Sequence, residues 1–275
     1  KYFPHHYRGI RFNTKTITYI GVMSGTSAAA TIVVSFYFPI TVLPQFRLAF
    51  ELLMIRVCGI LLGPVAGVLS SVITEVIVLF FIPSYVHIGF ILTAITSALI
   101  AGLVSVTCPI RHRQRVWYLL GLSTGMIGFA VLVLFYTNKF GHVYHRIEIL
   151  NGVSLSVGTT EWLIGVVFGF LLLVLWGTEF VSSFAKTKKL DGALLMKVII
   201  ITIITEFVAN TFLISWAENS LLSRQGYGFL VVYHLLQAPF QTVLYVPIIY
   251  TTVLVVRPLL KMRSTGTMPQ LNVVT

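Results

Sequence analysis

Apolar residues run along this chain in long blocks, and polar residues gather in the short breaks between them. A helix needs about 20 apolar residues to cross the hydrocarbon core of a bilayer. On that ruler the blocks predict eight spans, near 17–38, 48–64, 65–82, 89–107, 117–137, 159–181, 193–216 and 229–256. The region from Leu43 to Leu103 is the most interrupted, by Gly63-Pro64, by Pro83 and by Arg47, Glu51, Arg56 and Glu75. Proline removes a backbone donor and glycine lets the chain reverse, so Gly63-Pro64 predicts a tight turn between the short second and third spans.

Composition agrees with a membrane solvent: 57% of the 275 residues are hydrophobic and 10% charged, with a mean hydropathy of +0.93. The 19 Lys and Arg outnumber the 8 Asp and Glu, but they cluster at the ends of apolar blocks, where cations report orientation and do not point to nucleic acid. With the N-terminus inside, Lys1, Arg8, Arg11, Lys15, Arg111, Arg113, Arg115, Lys186, Lys188, Lys189, Arg257, Lys261 and Arg263 fall in the cytoplasm. Only Arg47, Lys139, Arg146 and Arg224 fall outside, and Arg56 and Lys197 lie within spans. That bias predicts cytoplasmic termini on an all-α, polytopic transmembrane bundle. Cys58 and Cys108 give no framework for a disulfide or a metal, and no cofactor follows from them. The first block has no small-residue cleavage site that stands out and is read as a retained helix. Residues 263–275 read as a flexible tail.

Several short motifs recur in an order that resembles a known family. "FRLAF" carries Arg47, "GPVAG" carries Gly63, Pro64 and Gly67, Glu75 follows eight positions later, and "IGFILTA" carries Gly89, Phe90, Leu92 and Ala94. Downstream, "ANTFLISW" carries Asn210, Thr211 and Ser215, and "HLLQAPFQTVLYVPI" carries Gln237 and Pro239. This series resembles the substrate-binding (S) components of energy-coupling factor (ECF) vitamin transporters, of the folate type. The chain departs from their pattern at Glu75, where Asp is usual, at Ile88 for Pro, at Thr93 for Ser, and at Tyr233 or His234 for a basic residue. The resemblance covers 17–107 and 195–260, and implies core helices 1–4 over 17–107 and core helices 5–6 over 191–262. It leaves 108–190 as an inserted helix pair with an outer loop. The insertion crosses the membrane twice and preserves the orientation of everything after it.

The resemblance implies a binding subunit that is not an enzyme. Such a subunit takes a vitamin from outside, folate or a related pterin, and works with a transmembrane coupling protein and two cytoplasmic ATPases in a bacterial cell membrane. No Gly-x-x-x-x-Gly-Lys-Ser/Thr phosphate loop occurs in the chain, so ATP hydrolysis would have to come from those partners. Riboflavin and pantothenate remain open as ligands. Two other readings stand beside it: a proton-coupled secondary transporter using Glu75 or Glu206, for which no internal repeat is visible, and a structural membrane subunit.

The candidate binding residues are Arg47, Tyr85, His87, Phe90, Asn210, Thr211, Trp216, His234 and Gln237. Arg47 could hold a carboxylate bidentately or snorkel to headgroups. Tyr85, His87 and Phe90 could stack on a heterocycle, with Gly89 allowing close approach, or belong to the aromatic belt of any membrane protein. Asn210 and Thr211, one to two turns before Trp216, could read a ring edge or bond between helices. His234 and Gln237 share a helix face. Deeper, Arg56, Glu75, Lys197 and Glu206 must pair or line a wet cavity, and the reading preferred is that Arg56 neutralises one of the two glutamates. Gly21, Gly25 and Ala29 recur every four residues with Ala28 beside them. The resemblance assigns these four small residues to the coupling protein, and packing inside the bundle is the other reading.

Overall fold

The structure, a computed structural model, describes residues 14–37, 50–82, 87–108, 112–140, 146–150, 153–184, 192–222 and 227–262. They form a polytopic helical bundle: α1 (Thr14–Tyr37), α2 (Phe50–Leu62), α3 (Pro64–Phe81), α4 (Ile88–Thr107), α5 (His112–Phe140), α6 (Val157–Phe184), α7 (Gly192–Thr205), a π-helical segment π1 (Glu206–Ile214), α8 (Ser215–Leu222) and α9 (Tyr227–Met262). Among the described residues seven helical stretches are long and apolar enough to cross a membrane, with α7, π1 and α8 joined in one of them. This is a multi-pass membrane protein.

The exception to the length ruler is α2, whose 13 residues rise only about 20 Å. It survives as a short helix because protein, not lipid, surrounds it: Leu52, Leu53, Ile55, Arg56, Val57 and Cys58 are all buried. The predicted reversal follows at once. Gly63 takes φ 95°, a conformation that favours glycine, and Pro64 starts α3 at a position where its missing N–H costs nothing.

Backbones approach closely around this turn. A Cβ added to Gly102 on α4 would stand 2.3 Å from the Cα of Pro64, and one added to Gly59 would stand 2.8 Å from the carbonyl oxygen of Ala98. Gly102→Ala is therefore expected to lower the thermal unfolding midpoint markedly, overpacking typically costing about 1–3 kcal/mol or more. Gly25→Ala, where nothing among the described residues lies within 4 Å of the added Cβ, serves as the neutral control.

Helix α1 lies on α2 and α3, where the Ser24 and Ser70 hydroxyls meet at 2.9 Å. Helices α5 and α6, expected from the sequence to be an added pair, do not stand apart. Leu119, Leu171 and Leu175 share one apolar core with Val57, Ile199, Ile203, Leu235 and Tyr245. Arg115 pairs with Glu179 at 3.2 Å, and the Trp176 indole donates to Ser123 Oγ at 3.0 Å, tying α5 to α6. Arg115, counted by sequence among the cytoplasmic cations, is thus a buried helix residue. Between α5 and α6 lies a short antiparallel hairpin, β1 (Arg146–Leu150) and β2 (Val153–Ser156), which sets Ile147 opposite Leu155 and contacts α6.

Candidate functional site

The site is built on α9. Tyr233, Gln237, Gln241 and Tyr245 recur every four residues, a spacing that places successive side chains above one another on a helix. Facing this stripe is π1. A π-helix is rare and widens the helix by one residue per turn; here the Thr211 hydroxyl donates to the carbonyl of Glu206 five positions back, at 2.9 Å.

Glu206 is the hub. It is 1% exposed, and Arg56, at 0%, donates from Nη2 to its Oε1 at 2.9 Å. The amide nitrogen of Asn210 donates to the other oxygen, Oε2, at 2.5 Å and also faces Gln241 Oε1 at 3.4 Å. Gln241 in turn donates to Gln237 Oε1 at 3.4 Å. Beneath them the Arg56 guanidinium carbon lies 5.4 Å from the centre of the Tyr245 ring, within cation–π range. The expectation that Arg56 neutralises a buried glutamate thus holds, with Glu206 as its partner. Glu75 on α3 is half-buried and has an interaction of its own. Lys197 donates to the carbonyl of Ser105 at 2.8 Å.

Toward the start of α9 comes Tyr233, which interacts with both Gln237 and Glu218. Glu218 on α8 pairs with His234 Nε2 at 2.9 Å, both buried. Beside this level His87 caps α4, its Nδ1 accepting from the Gly89 N–H at 3.0 Å, while its Nε2 lies 2.7 Å from Ser220 Oγ. The His87 ring meets Trp216 and Phe90 edge-on, with centroids 5.5 and 6.1 Å apart.

Of the nine candidate binding residues, His87, Phe90 and Trp216 form one aromatic group, Asn210 and Gln237 meet through Gln241, and His234 pairs with Glu218, while Thr211 bonds only within π1; Arg47 and Tyr85 lie outside the described residues. Within that group the roles divide. The Thr211 hydroxyl serves the π-helix backbone, Trp216 is 43% exposed, and Phe90 packs on Ile214 and Ala217. The close approach expected at Gly89 serves packing, since a Cβ there would come within 2.6 Å of the Ala217 methyl. Sequence reasoning passed over Glu218, Gln241 and Tyr245. The four-residue spacing from Tyr233 was the signal for the last two.

The small-residue face of α1 needs one correction. Gly21, Gly25 and Ala29 are exposed, and among the described residues nothing lies within 4 Å of a Cβ built on either glycine. Ala28 is 2% exposed and belongs to the interior. It sits about 100° round the helix from Ala29, on the side of Ser24 and Ser27, which are also buried.

A separate cavity of about 320 Å³ opens between α5 and α7–π1, lined by Gly121, Gly125, Met126, Phe129, Phe207 and Phe212 among others. Its wall is apolar and offers little to orient a polar ligand.

No family model matches this chain, and no solved structure matches it. Among curated proteins it is similar to an uncharacterized protein, the MG098 homolog of Mycoplasma pneumoniae, with 30% identity over 95 residues. The match covers 33% of this chain and 20% of that protein, so the chain spans about a fifth of the length of the curated relative.

Proposed function

We propose that this chain is the vitamin-binding S component of an ATP-driven ECF importer in a bacterial cell membrane, taking folate or a related pterin from the outer side. One observation carries the reading. Residues as far apart as Arg56 and Gln241 converge in one buried polar network, Arg56–Glu206–Asn210–Gln241–Gln237, with the buried Glu218–His234 pair beyond it on α8 and α9. A buried polar column is costly to maintain in a membrane protein, and such columns mark substrate or ion paths. The exposed Gly21, Gly25 and Ala29 offer a second helix a surface for close approach, as a coupling protein would need. ATP hydrolysis belongs to the two ATPase partners.

The rival, proton-coupled transport through Glu206, is less favoured because both carboxylate oxygens are already engaged by Arg56 and Asn210. A thermal-shift screen of the purified protein against the B-vitamins tests the leading reading. Folate or a pterin is expected to raise the unfolding midpoint by mass action, about 2.7 kcal/mol at a hundred times Kd. No shift with any vitamin, with no uptake in the presence of ECF partners, would sink it. Uptake into vesicles lacking any ATPase, lost in Glu206→Gln, would favour the rival.

A further inference from the structure

In this structure the polar network is sealed. Arg56, Glu206, Asn210, His234 and Gln241 are none of them more than 6% exposed, so a solute that uses the network needs part of the bundle to move first. The element least tied to the rest is α8. None of its described residues belongs to the large apolar core; Ala217 packs instead in a small cluster with Phe90 and Ile214. Two histidines hold the helix in place. His87 Nδ1 accepts from the Gly89 N–H, so Nε2 carries the ring proton and donates to Ser220 Oγ at 2.7 Å, while the Ser220 hydroxyl donates to the Ala217 carbonyl at 2.7 Å. From the other side His234 pairs with Glu218. Few buried apolar contacts and a small number of polar ties are the marks of a segment that opens well before the whole fold does.

The helix leading into α8 has one residue in hand. Asn210 meets Gln241 and Glu218 meets His234, in antiparallel order, yet Asn210 and Glu218 are eight positions apart and His234 and Gln241 only seven. Seven residues of α-helix turn about 700°, within about 20° of two full turns, and rise about 10.5 Å; eight turn about 800° and rise about 12 Å. An unbroken α-helix would thus carry Glu218 about 80° away from α9. The π-helix removes the mismatch: bonding five positions back places one more residue in a turn, so eight residues here keep pace with seven on α9. The start of π1 is fixed, by Arg56 on Glu206 and by Phe207 in the large core. Closure of π1 into α-helix would therefore turn the α8 end and take Glu218 away from His234 and Tyr233.

We propose that α8 is a hinged cover over the buried polar network, held shut by His87 and His234 and released when π1 closes into α-helix. The cover works in the same way whatever solute the network receives, so this inference and the vitamin reading can fail separately.

Deleting Leu213 tests the hinge. It leaves Asn210 and Glu218 seven positions apart, in register with α9 on an ordinary α-helix and with no residue to release. Two measurements on the purified full chain follow the cover: hydrogen exchange of the α8 amides, and the rate at which a methanethiosulfonate labels Gln237→Cys above the background of the buried Cys58 and Cys108. The deletion is expected to slow both by roughly tenfold or more without lowering the thermal midpoint. His87→Ala, which frees Ser220, is expected to speed both by roughly tenfold or more while exchange in α7 and α9 stays at the wild-type rate. A deletion variant that does not fold, or whose α8 exchanges faster, would show that the closed state needs all eight residues and overturn the hinge. Wild-type labelling of Gln237→Cys in both variants would show that α8 covers nothing and overturn the inference as a whole, as would exchange in α8 no faster than in α7 and α9 in both the wild type and His87→Ala.

Discussion

Arg56→Ala is expected to leave no recoverable folded protein, the largest effect of any single substitution considered. The loss would come from what remains: Glu206, 1% exposed, would keep one contact to Asn210 and no cation. Removing one partner of a buried pair costs about 3–5 kcal/mol, and the guanidinium also fills space against Tyr245. Total stabilities are typically about 5–15 kcal/mol, so a single change would consume a large share. Glu206→Ala is expected to behave similarly, because it strands the Arg56 charge. The double change Arg56→Met with Glu206→Met removes both charges and keeps volume, and should restore much of the lost stability. Monodisperse yield and thermal midpoint of the three variants in one detergent provide the check. A wild-type midpoint for Arg56→Ala would mean that Glu206 is solvated from an outer cavity and that the pair contributes nothing to the fold.

That the pair had to exist was legible in the sequence, whereas its membership was not. A charge in the middle of an apolar block demands compensation, so Arg56 announced a partner. Choosing between Glu75 and Glu206 needed the fold, because Arg56 and Glu206 are 150 residues apart. The spans were readable for a simpler reason: the bilayer imposes one length on every crossing. The ruler overestimated α2 because a helix wrapped in protein need not match the lipid. The Gly63-Pro64 turn was readable because it depends on two residues whose backbone chemistry is unlike that of all others.

Other features were hidden or passed over for identifiable reasons. A π-helix has no composition of its own, so nothing in "EFVANTFLI" distinguishes it from an α-helix until its backbone is seen. Glu218 stands in a polar run at a predicted span end, where a carboxylate normally faces water; only the return of α9 brings His234 against it. The hairpin, in contrast, was announced. Asn151-Gly152 between "RIEIL" and "VSLS" is a strong short-range hairpin signal, and the membrane ruler draws attention away from it.

The other large effect is expected at α1 and follows from the proposed coupling. Leucine at Gly21, Gly25 and Ala29 together should abolish transport while changing vitamin affinity less than twofold. These positions are exposed, and among the described residues nothing lies within 4 Å of a Cβ built on Gly21 or Gly25, so added bulk there is directed away from the packed side of α1. It would meet a partner helix, for which close approach over small residues supplies much of the packing in lipid. Ala28→Leu is the internal control. Its site is 2% exposed, so the larger side chain should lower stability by about 1–3 kcal/mol without acting on the partner surface. The measurements are vitamin affinity of each purified variant, its thermal midpoint, and its recovery with the coupling protein and ATPases in a pull-down. Wild-type recovery of the complex by the triple variant would show that this face packs on something else. Loss of vitamin binding by the triple variant would place the face inside the binding machinery, and Ala28→Leu with unchanged stability would show that the interior of α1 is loosely packed.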